Sequence, residues 1–173
     1  GNRYTLFFLN PALIYPRLLF NPRNGLVYVT NYGDGTVTLI DNDRVVSRVK
    51  VGKWPISSSF NPALLFNPRN GLVYVTDYND STVTLIDNDR VVSRVKVGRR
   101  PLAMWYNPNN GLVYVTNQEE GTVSLIDNDK EISRIKVGKE PTLLFYNTNN
   151  GLIYVLNQGD GTVSVIDLSL IHI

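Results

Sequence analysis

The sequence contains no cysteine. That excludes disulfides, zinc–thiolate sites and thiol catalysis. Histidine is almost as scarce: His172, near the end of the sequence, is the single one. One terminal imidazole cannot build a multi-histidine metal site and argues against Ser-His-Asp catalysis. Strong charge of either sign is missing too, with a formal net charge of +2. The basic residues are spread along the chain rather than gathered into a stripe, which speaks against a nucleic-acid partner. Long apolar runs are also lacking. The most apolar stretch, YTLFFLNPALIYPRLLF, is broken by Asn10, Pro11, Pro16 and Arg17. It fits neither a membrane helix nor a signal-peptide core. The sequence opens on Gly1 rather than Met, which leads us to expect a processed chain, an engineered one or a fragment. Its 173 residues suit one domain with a real core.

What the sequence has in quantity is repetition. GLVYVTN at Gly25 returns as GLVYVTD at Gly71, GLVYVTN at Gly111 and GLIYVLN at Gly151. The asparagine that opens each preceding turn stands at Asn21, Asn67, Asn107 and Asn147, at intervals of 46, 40 and 40 residues. A period near 40 is the mark of a repeat architecture. Each unit reads as four short strands. A brief apolar run such as LAMWY comes first, then LVYVT, then the alternating TVTLID, then RVVSRVKV. Asn-Gly pairs at Asn24-Gly25, Asn70-Gly71, Asn110-Gly111 and Asn150-Gly151 are expected to supply the positive φ of tight hairpins. No segment holds a helical period long enough for a helix.

The second strand is apolar on both faces. Leu26 and Tyr28 point one way, Val27 and Val29 the other. Such a sheet must be sandwiched, and four-stranded sheets packed face to face around an axis achieve that. The last strand of each unit carries cations on one face, as Arg48/Lys50, Arg94/Lys96 and Arg134/Lys136. That suits an outer edge, where charge discourages edge-to-edge pairing. A positive ring for an anionic partner is the functional alternative.

With its VYVTN, GTVTLID and RVKVGKWP segments, the chain resembles the YVTN-type β-propeller repeat of bacterial and archaeal surface-layer and secreted proteins. The resemblance covers nearly everything after about Leu18. It implies that the run before each NPxNG turn is innermost in its blade and the RVVSRVKVG run outermost. The expected fold is therefore an all-β, four-bladed propeller of four-stranded antiparallel blades. The blades are placed at about 18–51, 56–97, 102–137 and 142–173. The last unit lacks an RVVSRVKVG run, so residues 4–9 are expected to complete it and close the ring. Family members commonly have seven blades, so the four counted here make a complete small ring, a fragment, or a half-ring completed by self-association.

The candidate chemistry is sparse. The DND triplets at Asp41, Asp87 and Asp127 offer too few ligands for calcium and read as turns. Asn79-Asp80-Ser81 is an N-glycosylation sequon. From Leu26 to Lys53 and Leu72 to Arg99 the first two units differ only at Asn31/Asp77, Gly33/Asn79, Gly35/Ser81 and Lys53/Arg99. Such likeness points to recent duplication or design, and to scaffold rather than site. The copies disagree most at the loops after the second strand and at the connectors between units. Variation on a constant frame marks a binding surface. The candidate partner-binding residues are therefore Trp54, Arg99, Arg100, Asp34, Asp80, Glu119, Glu120 and Asp160. Trp105 reads instead as central packing. No catalytic residue, cofactor or metal is expected. The sequence points to a non-enzymatic, extracellular or surface-layer scaffold that engages a protein or glycan. A piece of a larger quinoprotein- or lactonase-like enzyme that lacks its active residues, and an engineered or duplicated assembly with no native ligand, are the alternatives.

Overall fold

Fifteen strands make up a computed structural model that describes residues 18–31, 34–53 and 63–170. They form four antiparallel sheets in chain order. The first holds β1 (Leu18–Phe20), β2 (Val27–Asn31), β3 (Thr36–Asp41) and β4 (Arg44–Lys50). The second holds β5 (Leu64–Phe66), β6 (Val73–Asp77), β7 (Thr82–Asp87) and β8 (Arg90–Lys96). The third holds β9 (Pro101–Tyr106), β10 (Val113–Asn117), β11 (Thr122–Asp127) and β12 (Lys130–Lys136). The fourth has three described strands, β13 (Pro141–Asn147), β14 (Leu152–Asn157) and β15 (Thr162–Ile166). These are the four blades of a propeller, each strand pairing with the next. Trp54 and the proposed closing strand at residues 4–9 lie outside the described residues.

Each sheet packs on the next through one face. Tyr28, Val37 and Leu39 of the first sheet meet Val73, Val75 and Ile86 of the second. Tyr74, Val83 and Leu85 of the second meet Val113, Val115 and Ile126 of the third. Tyr114, Val123 and Leu125 of the third meet Ile153, Val155 and Ile166 of the fourth. The period-2 alternation of the strands makes this possible, since it gives the two middle sheets an apolar set on each face.

The repeated tyrosine does more than fill space. The Tyr28 hydroxyl donates to the Asn88 carbonyl of the next sheet at 2.8 Å, and that of Tyr74 donates to the Asn128 carbonyl at 2.7 Å. Asn24 and Asn70 donate their side-chain amides back to those hydroxyls. Each tyrosine thus ties its own first turn to the DND turn of the following sheet. Asn42, Asn88 and Asn128 of those turns sit at φ 52–53°, a left-handed conformation that asparagine tolerates. In the Asn-Gly pairs only the glycine adopts positive φ, for example 73° at Gly25. The asparagine serves by accepting from the N–H two residues on, as Asn24 does from Leu26 at 3.0 Å. Tyr74→Phe should therefore cost about 1–2 kcal/mol, because the Asn128 carbonyl and the side-chain amides of Asn67 and Asn70 lose a partner. A lower urea midpoint at unchanged slope would record it.

Trp105 is not enclosed. It is 38% exposed, and its ring lies 6.3 Å from Phe145 at a tilt of 57°. Phe20 and Phe145 are also exposed. Trp105 is therefore partly open to solvent rather than sealed in central packing, whereas Tyr146 of the fourth sheet is buried.

Candidate functional site

The loops after each second strand and the connectors between sheets gather at one end of the molecule. A fixed clip joins them. The connector N–H of Lys53 donates to Asp80 at 2.9 Å, that of Arg99 to Glu120 at 3.0 Å, and that of Lys139 to Asp160 at 3.0 Å. Asp80, Glu120 and Asp160 occupy one repeat position, so three of the candidate acids fasten a connector to the sheet it leads into. Asp34 shares that position and accepts from its own Thr36 hydroxyl at 2.8 Å. Partial burial pushes the Glu120 carboxyl up, but bonds from the Arg134 side chain and the Arg99 N–H outweigh it and hold the group below its ordinary range. The Thr162 hydroxyl and the Lys139 N–H likewise lower Asp160.

Glu119 has no acidic counterpart in the other copies and is used differently. It binds Arg100 at 2.8 Å and Arg99 at 3.3 Å. The Arg100 guanidinium lies over the ring of Tyr78, 5.7 Å from its centre. The Tyr78 hydroxyl donates to Gln118 at 2.5 Å. Burial raises the Tyr78 hydroxyl above its ordinary range, and the charge of Arg100 opposes that shift. Tyr78, Arg100, Gln118 and Glu119, together with Lys139 and Glu140, border a cavity of about 760 Å³.

The backbone there is held in an uncommon shape. Arg100 and Glu140, at one repeat position, have φ of 56° and 48°. Each turns its carbonyl toward the next sheet, where the N–H of Gln118 and that of Gln158 donate to it at 2.9 and 3.0 Å. A left-handed non-glycine residue costs roughly 1–2 kcal/mol, and these cross-sheet bonds hold the conformation in place. In the sequence, the corresponding residue of the first connector is Trp54.

The structure thus joins Arg99, Arg100, Glu119 and Glu120 in one cluster and leaves Asp34 apart from it. Sequence reading missed Tyr78 and Gln118, while Lys139 and Glu140 belong to the connectors it placed at this variable end. The rule that found Arg100 would have found Tyr78 and Gln118, because Tyr32, Tyr78, Gln118 and Gln158 share a position where the copies differ. Asn79 is exposed in its turn. Among the described residues no three His, Asp or Glu side chains converge to hold a metal. The site offers both charges, amide groups and an aromatic face, which suits recognition of a polar surface.

No protein-family model matches the sequence, and no curated protein matches it. Solved structures do match, and they define the class: the chain has the β-propeller fold. It is similar to Kuenenia stuttgartiensis hydrazine synthase, with a TM-score of 0.75 and 17% identity over 98% of this chain and 49% of that one. The WD40 β-propeller domain of Doa1 matches with a TM-score of 0.65 and 17% identity, over 86% of this chain and 49% of that one. Virginiamycin B lyase from Staphylococcus aureus matches with a TM-score of 0.64 and 14% identity, over 87% of this chain and 54% of that one. The chain therefore spans about half the length of these neighbours.

Proposed function

We propose that the chain is a non-enzymatic interaction module of the YVTN-repeat type, at the cell surface or secreted, which binds a protein or glycan at the loop end. The observation that carries this reading is the cluster of Tyr78, Arg100 and Glu119. It stands where the repeats diverge, on a frame whose other positions are nearly constant. A glycan and peptide array probed with the labelled chain tests it. The expected result is a bound class lost at least tenfold in Arg100→Ala and Glu119→Ala, with the melting temperature nearly unchanged, since exposed ion pairs add little stability. An array with no hit, or binding indifferent to both changes, refutes the reading.

A portion of a larger propeller enzyme is the second reading, favoured by the lyase among the structural neighbours. In that lyase a variant with one histidine replaced by alanine is catalytically inactive. The one histidine of this sequence, His172, lies outside the described residues. Quinupristin, the compound in the structure of that variant, is expected to survive incubation with this chain unchanged by mass spectrometry. Conversion would establish the enzyme reading.

A further inference from the structure

Three sheets bury a face that the fourth leaves open. Val37, Val83 and Val123 share one repeat position and are all 0% exposed, as are Leu39, Leu85 and Leu125 at another. Their counterparts in the fourth sheet, Val163 and Val165, are 56% and 54% exposed. Leu143 and Phe145 on the same face are each 57% exposed. Leu156 stands there too, exposed, where the other sheets carry Thr30, Thr76 and Thr116. This face is more apolar than its three buried counterparts, and an apolar patch of this kind marks an interaction surface.

The opposite end offers the matching half. In the second and fourth sheets, Phe66 and Tyr146 of the first strand pack against the preceding sheet. Their counterpart Phe20, with Leu18 beside it, is exposed. Val29 on that face is already buried, so the inner strand β1 is the part left free. The chain thus carries an open apolar face on its fourth sheet and, on the outward face of its first, an exposed apolar inner strand beside the buried Val29 and Thr38.

We propose that a second copy of this chain covers the open face, the fourth sheet of each copy packing on the first sheet of the other. The size of the neighbours supports this occupant. The four sheets overlay 49% of the hydrazine synthase chain at a TM-score of 0.75, so their fan follows the curvature of a structure about twice as long. Two copies supply that length as eight blades. A head-to-tail interface ends growth only when its rotation closes, and in the proposed pair the two half-rings close on each other.

Sedimentation equilibrium of the full chain over a wide concentration range tests the proposal. The expected mass is about 39 kDa, twice the 19.5 kDa chain. Val163→Lys combined with Val165→Lys alters only side chains exposed in the single chain. It should give a folded 19.5 kDa species, with β-sheet circular dichroism retained. The milder Val163→Thr/Val165→Thr keeps strand propensity and should weaken the pair roughly tenfold or more. A 19.5 kDa species at every concentration overturns the proposal and leaves the face to further blades of a longer chain. Mass that climbs without limit overturns closure by two copies. A dimer that neither double variant weakens overturns the assignment of this face.

Discussion

Leu85→Ala is expected to destabilise the chain by about 2–5 kcal/mol, and Val165→Ala, at the same repeat position, by less than about 1 kcal/mol. The two residues stand at the same place in their strands, Leu85 opposite Tyr74 and Val165 opposite Tyr154. What differs is the layer beyond them. Leu85 is 0% exposed, enclosed with Val113, Val115 and Ile126 of the third sheet. Its truncation opens a cavity in a close-packed interior that relaxes only in part. Val165 is 54% exposed, so truncation there removes surface that water already touches. Chemical denaturation at a concentration low enough to keep the chain monomeric makes the comparison. Equal costs at the two sites would show that the fourth sheet is covered within the single chain.

At neutral pH, Asp77→Asn is expected to stabilise the protein and Asp77→Ala to destabilise it. Asp77 is 0% exposed. Its carboxylate accepts from the Thr84 hydroxyl at 2.6 Å, the Thr82 hydroxyl at 2.8 Å and the Gly52 N–H at 2.8 Å. Burial raises its pKa, and these three bonds oppose the rise only in part. Between the unfolded carboxyl value and this raised value, the folded state holds more protons than the unfolded one. Stability from this group therefore falls as pH rises through that window and stays lost above it.

Asparagine occupies the same position as Asn31, Asn117 and Asn157 in the other sheets. There it donates to the equivalent hydroxyls, as Asn31 does to Thr38 at 2.7 Å. The amide oxygens of Asn117 and Asn157 find no partner, so the gain in Asp77→Asn comes from removing the charge. About 1 kcal/mol at pH 7 is expected, or about 2–4 °C in melting temperature for a chain of this size. The gain should vanish in acid, where Asp77 is neutral. Asp77→Ala instead strands two hydroxyls and an N–H, at roughly 1–3 kcal/mol for each buried group left unpaired. Paired melting curves across pH decide it, and an Asp77→Asn variant that is less stable at pH 7 would refute the account.

These two positions show how far the sequence reads unaided. The alternation of Tyr28 with Val27 and Val29 required a sheet covered on both sides, and the two middle sheets are packed in that way. The charged outer strand was legible as well, although Lys50 and Lys136 also donate to the loop carbonyls of Asp34 and Glu120 in their own sheets. The glycine before each connector looked like a plain strand end. A Cβ on Gly52 would stand 2.3 Å from the Cβ of Asp77, and one on Gly98 would stand 2.5 Å from Cγ of Asn117. That reason lies in the next sheet, some twenty residues away, and no local pattern contains it.

Local chemistry thus determines the strands, the turns and the number of repeats, because periodicity, β-branching and Asn-Gly turns act within a few residues. Tertiary packing alone decides that Asp80, Glu120 and Asp160 fasten connectors, where Arg100 rests, and which apolar face is left uncovered. Those outcomes depend on what the neighbouring sheet brings to the same spot. Four copies of nearly one sequence meet different neighbours, and Leu85 and Val165 consequently face different surroundings.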